Sequence, residues 1–382
     1  MKESSNIKVP FNNFVDNDVL SMLLPLNIMH HIFPSPKYRI RKNLIQPNTL
    51  TICVISATCN LILLVPLIGR FYDYCSIEES GLNIVIFTFL YDFVSYFIGY
   101  VLNFYINVLQ TIINISFVLK LQKVHRFLND EVHFKRYIIG NWISFISICI
   151  FYFVLIGAFS LHYHTTIYNI IYSVTYLYFD INMIYAIRLI VLLAKKVDLW
   201  NDQVLKGLHI VQEGRGTYWK KLFDTYIEIL ECYDLYKKIY KMMILFHTVD
   251  FFCNTVIRMQ LVLDIFHLSL QVESEVLVTA LVIILVLYMW VIKSLVLEII
   301  LSFSCEEFYK SMSDVQTSCA LILKSNCTDY QRRLCKNIQR LHRVTFNKMS
   351  VCGMFYIDAT FPLKMAALVA TYVIVLLQFA LL

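Results

Sequence analysis

Seven apolar segments dominate the sequence, and they constrain its fold more than any other feature. Each is long enough to cross the hydrocarbon core of a bilayer, about 30 Å, as an α-helix. Charged residues make up only 16% of the chain, whereas soluble domains carry about 25%. The composition therefore predicts an all-α, polytopic membrane protein with seven transmembrane helices. The segments comprise residues 50–69, 82–119, 137–161, 167–194, 242–268, 276–303 and 358–382.

Two segments need a separate interpretation. Residues 82–119 are too long for one perpendicular crossing, and we expect one long, tilted helix that protrudes from the bilayer. Two spans are disfavoured because residues 103–107 are too short and unbroken for a turn. Residues 22–33 predict a short interfacial helix that Pro34 and Pro36 close.

The positions of the basic residues predict the orientation of the chain. Lysine and arginine number six in the N-terminal segment, five after the second span, nine after the fourth and eight after the sixth, whereas the opposite side holds only Arg70. Cytoplasmic loops carry such an excess, so we expect a cytosolic N-terminus and an extracellular C-terminus. The net charge of +6 is a property of these loops and does not predict nucleic-acid binding.

The orientation predicts the outcome of a glycosylation assay. Asn326, which is followed by Cys327 and Thr328, forms a sequon in a loop assigned to the cytosol, and the sequon at Asn114 lies inside the second span. We expect enzymatic deglycosylation to leave the electrophoretic mobility of the expressed protein unchanged. A glycan on Asn326 would mean that the topology is inverted.

Two basic, amphipathic helices are expected on the cytosolic side, at residues 220–241 and 329–345. They could lie on the anionic inner leaflet or bind calmodulin, but the tyrosine stripe from Tyr226 to Tyr240 favours packing together as an oligomerisation base. The chain then divides into a cytosolic segment 1–49, spans 1–6 at 50–303 with a cytosolic extension at 195–241, an anchor region at 304–357 and a final span at 358–382.

One face of the final span combines polar and apolar residues in a regular stripe. Thr371, Val375, Gln378 and Leu382 follow one face of a helix. An amide deep in a membrane helix needs a neighbouring helix or water as its partner. The stripe therefore predicts either contact between helices or the lining of a pore.

The same span resembles the C-terminal motif of insect gustatory receptors. Thr371 and Tyr372 are followed after five residues by Gln378 and Phe379, and Gly353, Phe355 and Asp358 precede the span as they do in that family. The resemblance implies a ligand-gated, non-selective cation channel of four subunits, in which cytosolic helices anchor the subunits to one another. It also implies that Gln378 and Phe379 line or close the pore.

The resemblance bears on the ligand as well. Sugar-sensing members of the family tend to carry glutamate directly after the Thr-Tyr pair, and this chain has Val373 there. We therefore expect a bitter or plant-derived small molecule rather than a sugar.

A ligand pocket is expected in the outer halves of spans 2 to 5. Aromatic rings together with a few polar groups are what a small-molecule pocket requires, and ionisable residues inside spans need a functional or structural partner. Lipid-facing packing and structural ion pairs remain alternative roles for each residue. The candidates are Tyr91, Asp92, Tyr96, Phe153, Tyr172, Tyr176, Arg258 and Asp264. Lys293 and Glu298, near the inner end of span 6, are expected to reach the interface by snorkelling.

Other functional classes fit the sequence less well. A G-protein-coupled receptor would have the opposite orientation, and a secondary transporter usually shows glycine- or proline-broken helices in two repeats. No clustered histidine boxes or close cysteine pairs occur, so we expect neither an enzyme nor a metal or cofactor. A transporter and an odorant receptor remain the alternatives to a gustatory receptor of sensory-neuron plasma membranes, assembled as a homotetramer or with related receptors.

Overall fold

The computed structural model describes residues 13–77, 83–162, 167–206, 216–269 and 274–381, and within them the chain is almost entirely helical. The helices are α1 (Asn17–Ile32), α2 (Leu50–Ile77), α3 (Asn83–Asn103), α4 (Thr111–Phe127), α5 (Glu131–His162), α6 (Ile167–Lys206), α7 (Gly216–Ser269), α8 (Ser274–Lys324), α9 (Asp329–Thr345) and α10 (Phe361–Leu381). Two antiparallel hairpins pair β1 (Arg39–Arg41) with β2 (Leu44–Gln46) and β3 (Ser350–Val351) with β4 (Phe355–Tyr356).

Seven of the described helices are long and apolar enough to cross a membrane, as the sequence predicts. They are α2, α3 with the segment after it, α5, α6, α7, α8 and α10. Helix α6 lies at the centre, because 83% of its most apolar window is buried by other helices. It packs against α2, α5, α7 and α8. The predicted seven-span, all-α fold is therefore confirmed.

The second span is helical without a break, as expected, but it contains one π-helical segment. A π-helical segment, Phe104–Leu109, joins α3 to α4, and the Gln110 amide donates to the Tyr105 carbonyl five residues earlier. The Asn114 side-chain amide donates to the Ile106 carbonyl at 2.9 Å. Such insertions are commonly found at functional positions of helices.

The N-terminal helix differs from the prediction. It begins at Asn17 rather than at residue 22, and it packs against α5 and α6. Its carbonyl at Met22 accepts a hydrogen bond from Asn141 on α5 at 2.7 Å. The interfacial position stays a prediction, but the structure adds that α5 and α6 cover one set of apolar residues on α1. These residues are Val19, Met22, Leu23, Leu26 and Met29.

The segment after α1 is also drawn into the bundle. The Lys37 ammonium donates to Asn107 Oδ1 at 2.6 Å and to Asn182 Oδ1 at 3.2 Å, and it lies near the rings of Tyr185 and Tyr240. Burial lowers the pKa of Lys37 to about 7. Although Lys37 counts among the N-terminal cations, it is therefore a structural contact rather than a solvated charge.

Several helices extend beyond the predicted spans. Helix α7 has 54 residues and α8 has 51, which at 1.5 Å per residue is more than twice the thickness of a hydrocarbon core. The region 120–136, predicted as a basic loop, is mostly the end of α4 and the start of α5. Apolar stripes that continue past the membrane explain the extension, since they are buried between helices.

The two predicted amphipathic helices pack together within one chain. Residues 220–241 form part of α7, and residues 329–345 coincide with α9. The Tyr226 hydroxyl contacts His342 Nδ1 at 2.7 Å, and the Tyr233 hydroxyl donates to the Asn347 carbonyl at 3.3 Å. Tyr226 and Tyr233 are at most 1% exposed, so the tyrosine stripe is not available to a lipid surface or to calmodulin.

Helix α9 begins with a capping box that offers a test of this packing unit. Thr328 accepts from the Gln331 amide, and the Gln331 side chain accepts from the Thr328 amide. Loss of such a cap costs about 1 kcal/mol. We expect Thr328→Ala to speed hydrogen exchange in the first turn of α9 roughly fivefold, measured by mass spectrometry. Thr328→Ser retains the hydroxyl and should behave as the unsubstituted protein; equal loss of protection in both would contradict the cap.

Candidate functional site

A buried ionic network joins four transmembrane helices in the middle of the bundle. Asp180 on α6 accepts from the Lys293 ammonium of α8 at 2.6 Å and from the Tyr152 hydroxyl of α5 at 2.6 Å. Its second oxygen lies 3.4 Å from His247 Nε2 on α7. All four side chains are buried. Because a lone charge is costly in this environment, each member depends on the others.

The network continues to a second carboxylate. His247 Nδ1 lies 3.1 Å from Glu298 Oε1, and the Thr248 hydroxyl donates to the same oxygen at 3.0 Å. His247 can donate to both Asp180 and Glu298 only when both ring nitrogens carry protons. In that form the two carboxylates, the ammonium and the imidazolium carry no net charge. The expected snorkelling of Lys293 and Glu298 is wrong, because both side chains point into the bundle and find partners there.

Aromatic rings cover one side of the network. The Tyr176 ring lies 4.9 Å from Tyr96 and 4.7 Å from Trp290, measured between centroids. Tyr152 meets the edge of Trp290 at 5.4 Å. The Lys293 ammonium and the Arg258 guanidinium lie 4.8 and 5.5 Å from the centre of the Trp290 ring. This arrangement suits an aromatic or hydrogen-bonding ligand, since rings and cations stabilise such groups by stacking and cation–π contact.

A narrow cleft opens onto these rings from α7 and α8. Its lining includes Tyr176, Asp250, Asn254, Arg258 and Trp290. It encloses about 10 Å³, about the space of one water. Sites for drug-sized ligands occupy about 300–1,000 Å³, so side chains must move before a larger molecule can enter.

Polar contacts tie α3 and α6 to the cleft. The Asn254 amide donates to the Tyr176 hydroxyl at 3.2 Å. The Tyr91 hydroxyl donates to Asp250 Oδ1 at 3.2 Å, and Ser95 donates to the same oxygen. Opening of the cleft would therefore displace groups on α3, α6 and α7 together.

The structure brings together some of the predicted ligand residues and not others. Tyr176 and Arg258 line the cleft, and Tyr91 and Tyr96 contact residues of its wall. Asp92 is buried on the same helix, α3. Phe153 is 81% exposed and is not part of the cluster, because its neighbour Tyr152 occupies the inward position on α5. The side chains of Tyr172 and Asp264 lie outside the described part of the chain.

Sequence reasoning missed several residues of the site, namely Tyr152, His247, Asp250 and Trp290. Asp180 was recognisable as a charge inside a span, and Lys293 was visible as well, but their pairing was not. A carboxylate and an ammonium 113 positions apart reveal a contact only when the order of the helices in the membrane is known. Among the described residues no group of three or more histidine, cysteine, aspartate or glutamate side chains is placed so that it could hold a metal ion.

The final helix, α10, packs on α7 and α8 by one face only. Met365, Val369, Val373 and Leu376 are partly buried on that face, and the Tyr372 ring lies 5.2 Å from Phe252 on α7. On the other side Thr371, Val375 and Gln378 are exposed. The side chain of Phe379 and all of Leu382 lie outside the described residues.

The ionic network can be tested by a double substitution. Lys293→Met leaves Asp180 buried without its ammonium and should cost about 3 kcal/mol of stability, since breaking one side of a buried pair is strongly destabilising. Adding Asp180→Asn removes the uncompensated charge and retains an acceptor for Tyr152, so the double variant should recover at least half of the lost thermal stability.

The measurement is the thermal midpoint of the purified protein in detergent. Lys364→Met, at an exposed position near the start of α10, is the matched control and should have little effect. The network would be refuted by a double variant no more stable than Lys293→Met alone.

Comparison with known structures finds the same fold in an insect olfactory receptor, OR5 from Machilis hrabei. Its structure in complex with eugenol is 13% identical to this chain, with a TM-score of 0.58, over 95% of this chain and 100% of OR5. A second structure of OR5 gives 14% identity and a TM-score of 0.57, over 95% of this chain and 100% of OR5. At this level of identity the likeness shows the fold alone.

Sequence comparison identifies the family. No match was found among curated proteins. Residues 33–382 match the sequence profile described as the 7tm Chemosensory receptor, and this range includes all seven spans and the polar network. The expected chemosensory resemblance is thus confirmed at the level of the family, and this chain belongs to the seven-transmembrane chemosensory receptor family.

Proposed function

We propose that the chain is a gustatory-type receptor that acts as a tastant-gated, non-selective cation channel. Membership of the chemosensory receptor family supports a receptor for small molecules. OR5, which shares the fold, was solved in complex with eugenol. A receptor that binds and releases a ligand performs no bond chemistry, and the site described above requires none.

The observation that carries the proposal is the exposure of α10. Only 11% of its membrane-length window is buried in the chain, against 83% for α6. Gln378 and Thr371 lie on the exposed side, although the Thr371 hydroxyl also donates to the Ala367 carbonyl at 2.9 Å. An unpaired glutamine amide is unfavourable in lipid. A water-filled conduit bounded by α10 of several copies would give Gln378 a favourable environment.

Several copies are needed, because one helix cannot enclose an aqueous path. Closed cyclic symmetry is the usual arrangement of identical subunits, and the family resemblance favours four. The packed helices α7 and α9 offer the region through which the copies associate, as a homotetramer or with related receptors. Val375, Phe379 and Leu382 would form the apolar constriction, which closes by expelling water.

Two adjacent residues of α7, Phe251 and Phe252, connect the proposed ligand cleft with the proposed pore helix. Phe251 lines the cleft, and its neighbour Phe252 contacts Tyr372 of α10. A tastant that opens the cleft would therefore displace α7 where it holds the pore helix. The ligand favours the open state only by binding that state more tightly.

The ligand is proposed to be a bitter or plant-derived small molecule. Tyr96, Tyr176 and Trp290 provide stacking surfaces, and Arg258 and Asn254 provide donors. Val373 follows the Thr-Tyr pair where sugar-sensing relatives tend to carry glutamate. No aspartate or glutamate occurs in residues 361–382, which favours permeation by both monovalent and divalent cations over strong calcium selectivity.

The proposed location is the plasma membrane of sensory neurons, with the C-terminus outside. The distribution of lysine and arginine supports this orientation. A positive control for the glycosylation assay is available, because Glu78→Asn makes a sequon with Glu79 and Ser80 in the predicted extracellular loop. This variant should gain a glycan while Asn326 gains none.

The function is tested by expressing the chain alone and recording membrane currents during application of a panel of tastants and odorants. A ligand-evoked cation current that persists with G proteins blocked is the expected result. Uptake of a ligand without channel current would indicate a transporter, and responses confined to odorants would indicate an odorant receptor.

The pore stripe is tested by substitutions on α10. Gln378→Ala and Phe379→Ala should change basal leak or the relative permeability of cations, because they alter the lining of the conduit, while surface expression is maintained. Leu377→Ala is the matched control, since Leu377 is exposed on the same helix but lies off the stripe. If only Leu377→Ala alters permeability, or if no variant does, the pore assignment is wrong.

A further inference from the structure

A second cavity lies where α1, α4, α5 and α6 meet, away from the ligand cleft. It encloses about 310 Å³ and is lined by six basic side chains and one carboxylate, Asp130. The basic residues come from the end of α4, the start of α5 and the late part of α6. In the orientation favoured by the basic loops, this is the end of the bundle that faces the inner leaflet.

Three of these cations have no carboxylate partner in the part of the chain that the structure describes. Arg188 donates to Asn141 Oδ1 at 2.6 Å and to the Tyr137 carbonyl at 3.3 Å, both neutral acceptors. Lys196 is 4% exposed and its hydrogen bonds go to neutral groups, His125 Nδ1 and the Leu128 carbonyl, while the Asp130 carboxylate acts on its ammonium from beyond ion-pair distance. Arg136 is exposed and forms no ion pair within the described residues.

Two aspartates of α1 and the chain before it, Asp18 and Asp16, lie near His125, and three other carboxylates at the cavity contact cations or histidine. Asp130 pairs with His133 at 2.8 Å. Asp198 and Glu307 pair with Lys195, the remaining cation of the lining. The cavity therefore concentrates positive charge in a partly desolvated place, which favours an anion.

His125 adds a directional donor. It is 3% exposed, and its Nε2 atom has no hydrogen-bond partner in the described structure. Burial and the nearby Lys196 lower the pKa of His125 to about 4, so the ring is neutral near pH 7. Because Nδ1 accepts from the Lys196 ammonium, Nε2 carries the proton and lacks an acceptor.

Gly140 keeps room for one of the cations. A Cβ atom at this position would come within 2.6 Å of the Arg188 guanidinium. The guanidinium also lies over the Tyr137 ring at 4.9 Å. The site is thus held open by a residue without a side chain on α5.

An apolar track leads away from the cavity along α5. Ile139, Ile143, Ile146 and Ile150 are each about half exposed, and together with Arg136 they recur at steps of three and four residues, which places them on one side of the helix. A cation that caps a lipid-facing stripe is the arrangement that a headgroup and its acyl chains require.

We propose that this cavity binds the phosphate-bearing headgroup of an anionic phospholipid, with the acyl chains lying along the isoleucine track of α5. Arg136, Arg188 and Lys196 supply the charge, and His125 Nε2 donates to a phosphate oxygen. A soluble phosphate presents the same anionic group, but it has no acyl chains to contact the isoleucine track.

The test uses the purified full-length protein in detergent and native mass spectrometry to count bound molecules. The probes are dioctanoyl phosphatidylinositol 4-phosphate, dioctanoyl phosphatidylcholine and inorganic phosphate. We expect preferential binding of the anionic lipid, and a roughly fivefold weaker apparent affinity in Arg136→Gln, the order of effect expected for one basic residue at an anionic surface.

Lys135→Gln is the matched control, because Lys135 is an exposed neighbour of the same charge that does not line the cavity. Its affinity for the anionic lipid should equal that of the unsubstituted protein. If Arg136→Gln and Lys135→Gln weaken binding of the anionic lipid equally, the effect comes from general surface charge, and the proposed site is contradicted. If phosphatidylcholine binds as tightly as the anionic lipid, the preference for an anionic headgroup is contradicted. If inorganic phosphate binds as tightly as the anionic lipid, the proposed role of the acyl chains is contradicted.

Discussion

The contact between Asp180 and Lys293 sets the arrangement of the bundle. Two opposite charges inside a membrane protein are tolerated only when they meet, and their 2.6 Å separation fixes α6 against α8. Tyr152 and His247 extend the constraint to α5 and α7. One polar cluster therefore fixes the relative positions of these four helices, and apolar packing fills the space around it.

The helices fall into two groups according to how much of their apolar surface other helices bury. Helix α6 is enclosed on nearly all sides, whereas α2, α5 and α10 bury 17%, 22% and 11% of their apolar windows. For α2 and α5 most exposed residues within the spans are apolar and suit lipid, and the exposed polar ones, Thr51, Thr58 and Ser147, are hydroxyl residues. Helix α10 differs because its exposed side includes the side-chain amide of Gln378, and this difference is the physical basis for proposing that it borders a shared conduit rather than lipid.

The proposed ligand cleft is lined by α6, α7 and α8. Its walls carry the aromatic residues that cover the ionic network, and its far side leads through Phe251 and Phe252 to α10. The rigid centre would resist movement, since displacing Asp180 or Lys293 exposes a charge. Motion on ligand binding is expected instead in the side chains of the cleft and in the weakly packed α10. Such a division between a fixed centre and a mobile rim is suited to gating.

The sequence predicts the seven spans because an apolar run of about 20 residues is a signal along the chain itself. It does not reveal which helices touch. Lys293 was assigned to the interface because its position near the end of a span allowed that, whereas its partner Asp180 comes from another helix. Tyr152 and Phe153 are equally aromatic, and only the rotation of α5 places the first inside and the second outside. Residues 17–32 are apolar, but contacts with the bundle, such as that of the Asn141 amide with the Met22 carbonyl, are not visible in the sequence.

The central claim, that α10 borders water shared among copies, is tested most directly by cysteine accessibility. Thr371→Cys, Val375→Cys and Gln378→Cys are expressed singly, and a water-soluble, membrane-impermeant thiol reagent is applied outside during ligand-evoked current. We expect covalent block at these three positions and none at Leu377→Cys or in the unsubstituted chain. Unchanged current in all three variants, with surface expression intact, would place this side of α10 in lipid and contradict the account.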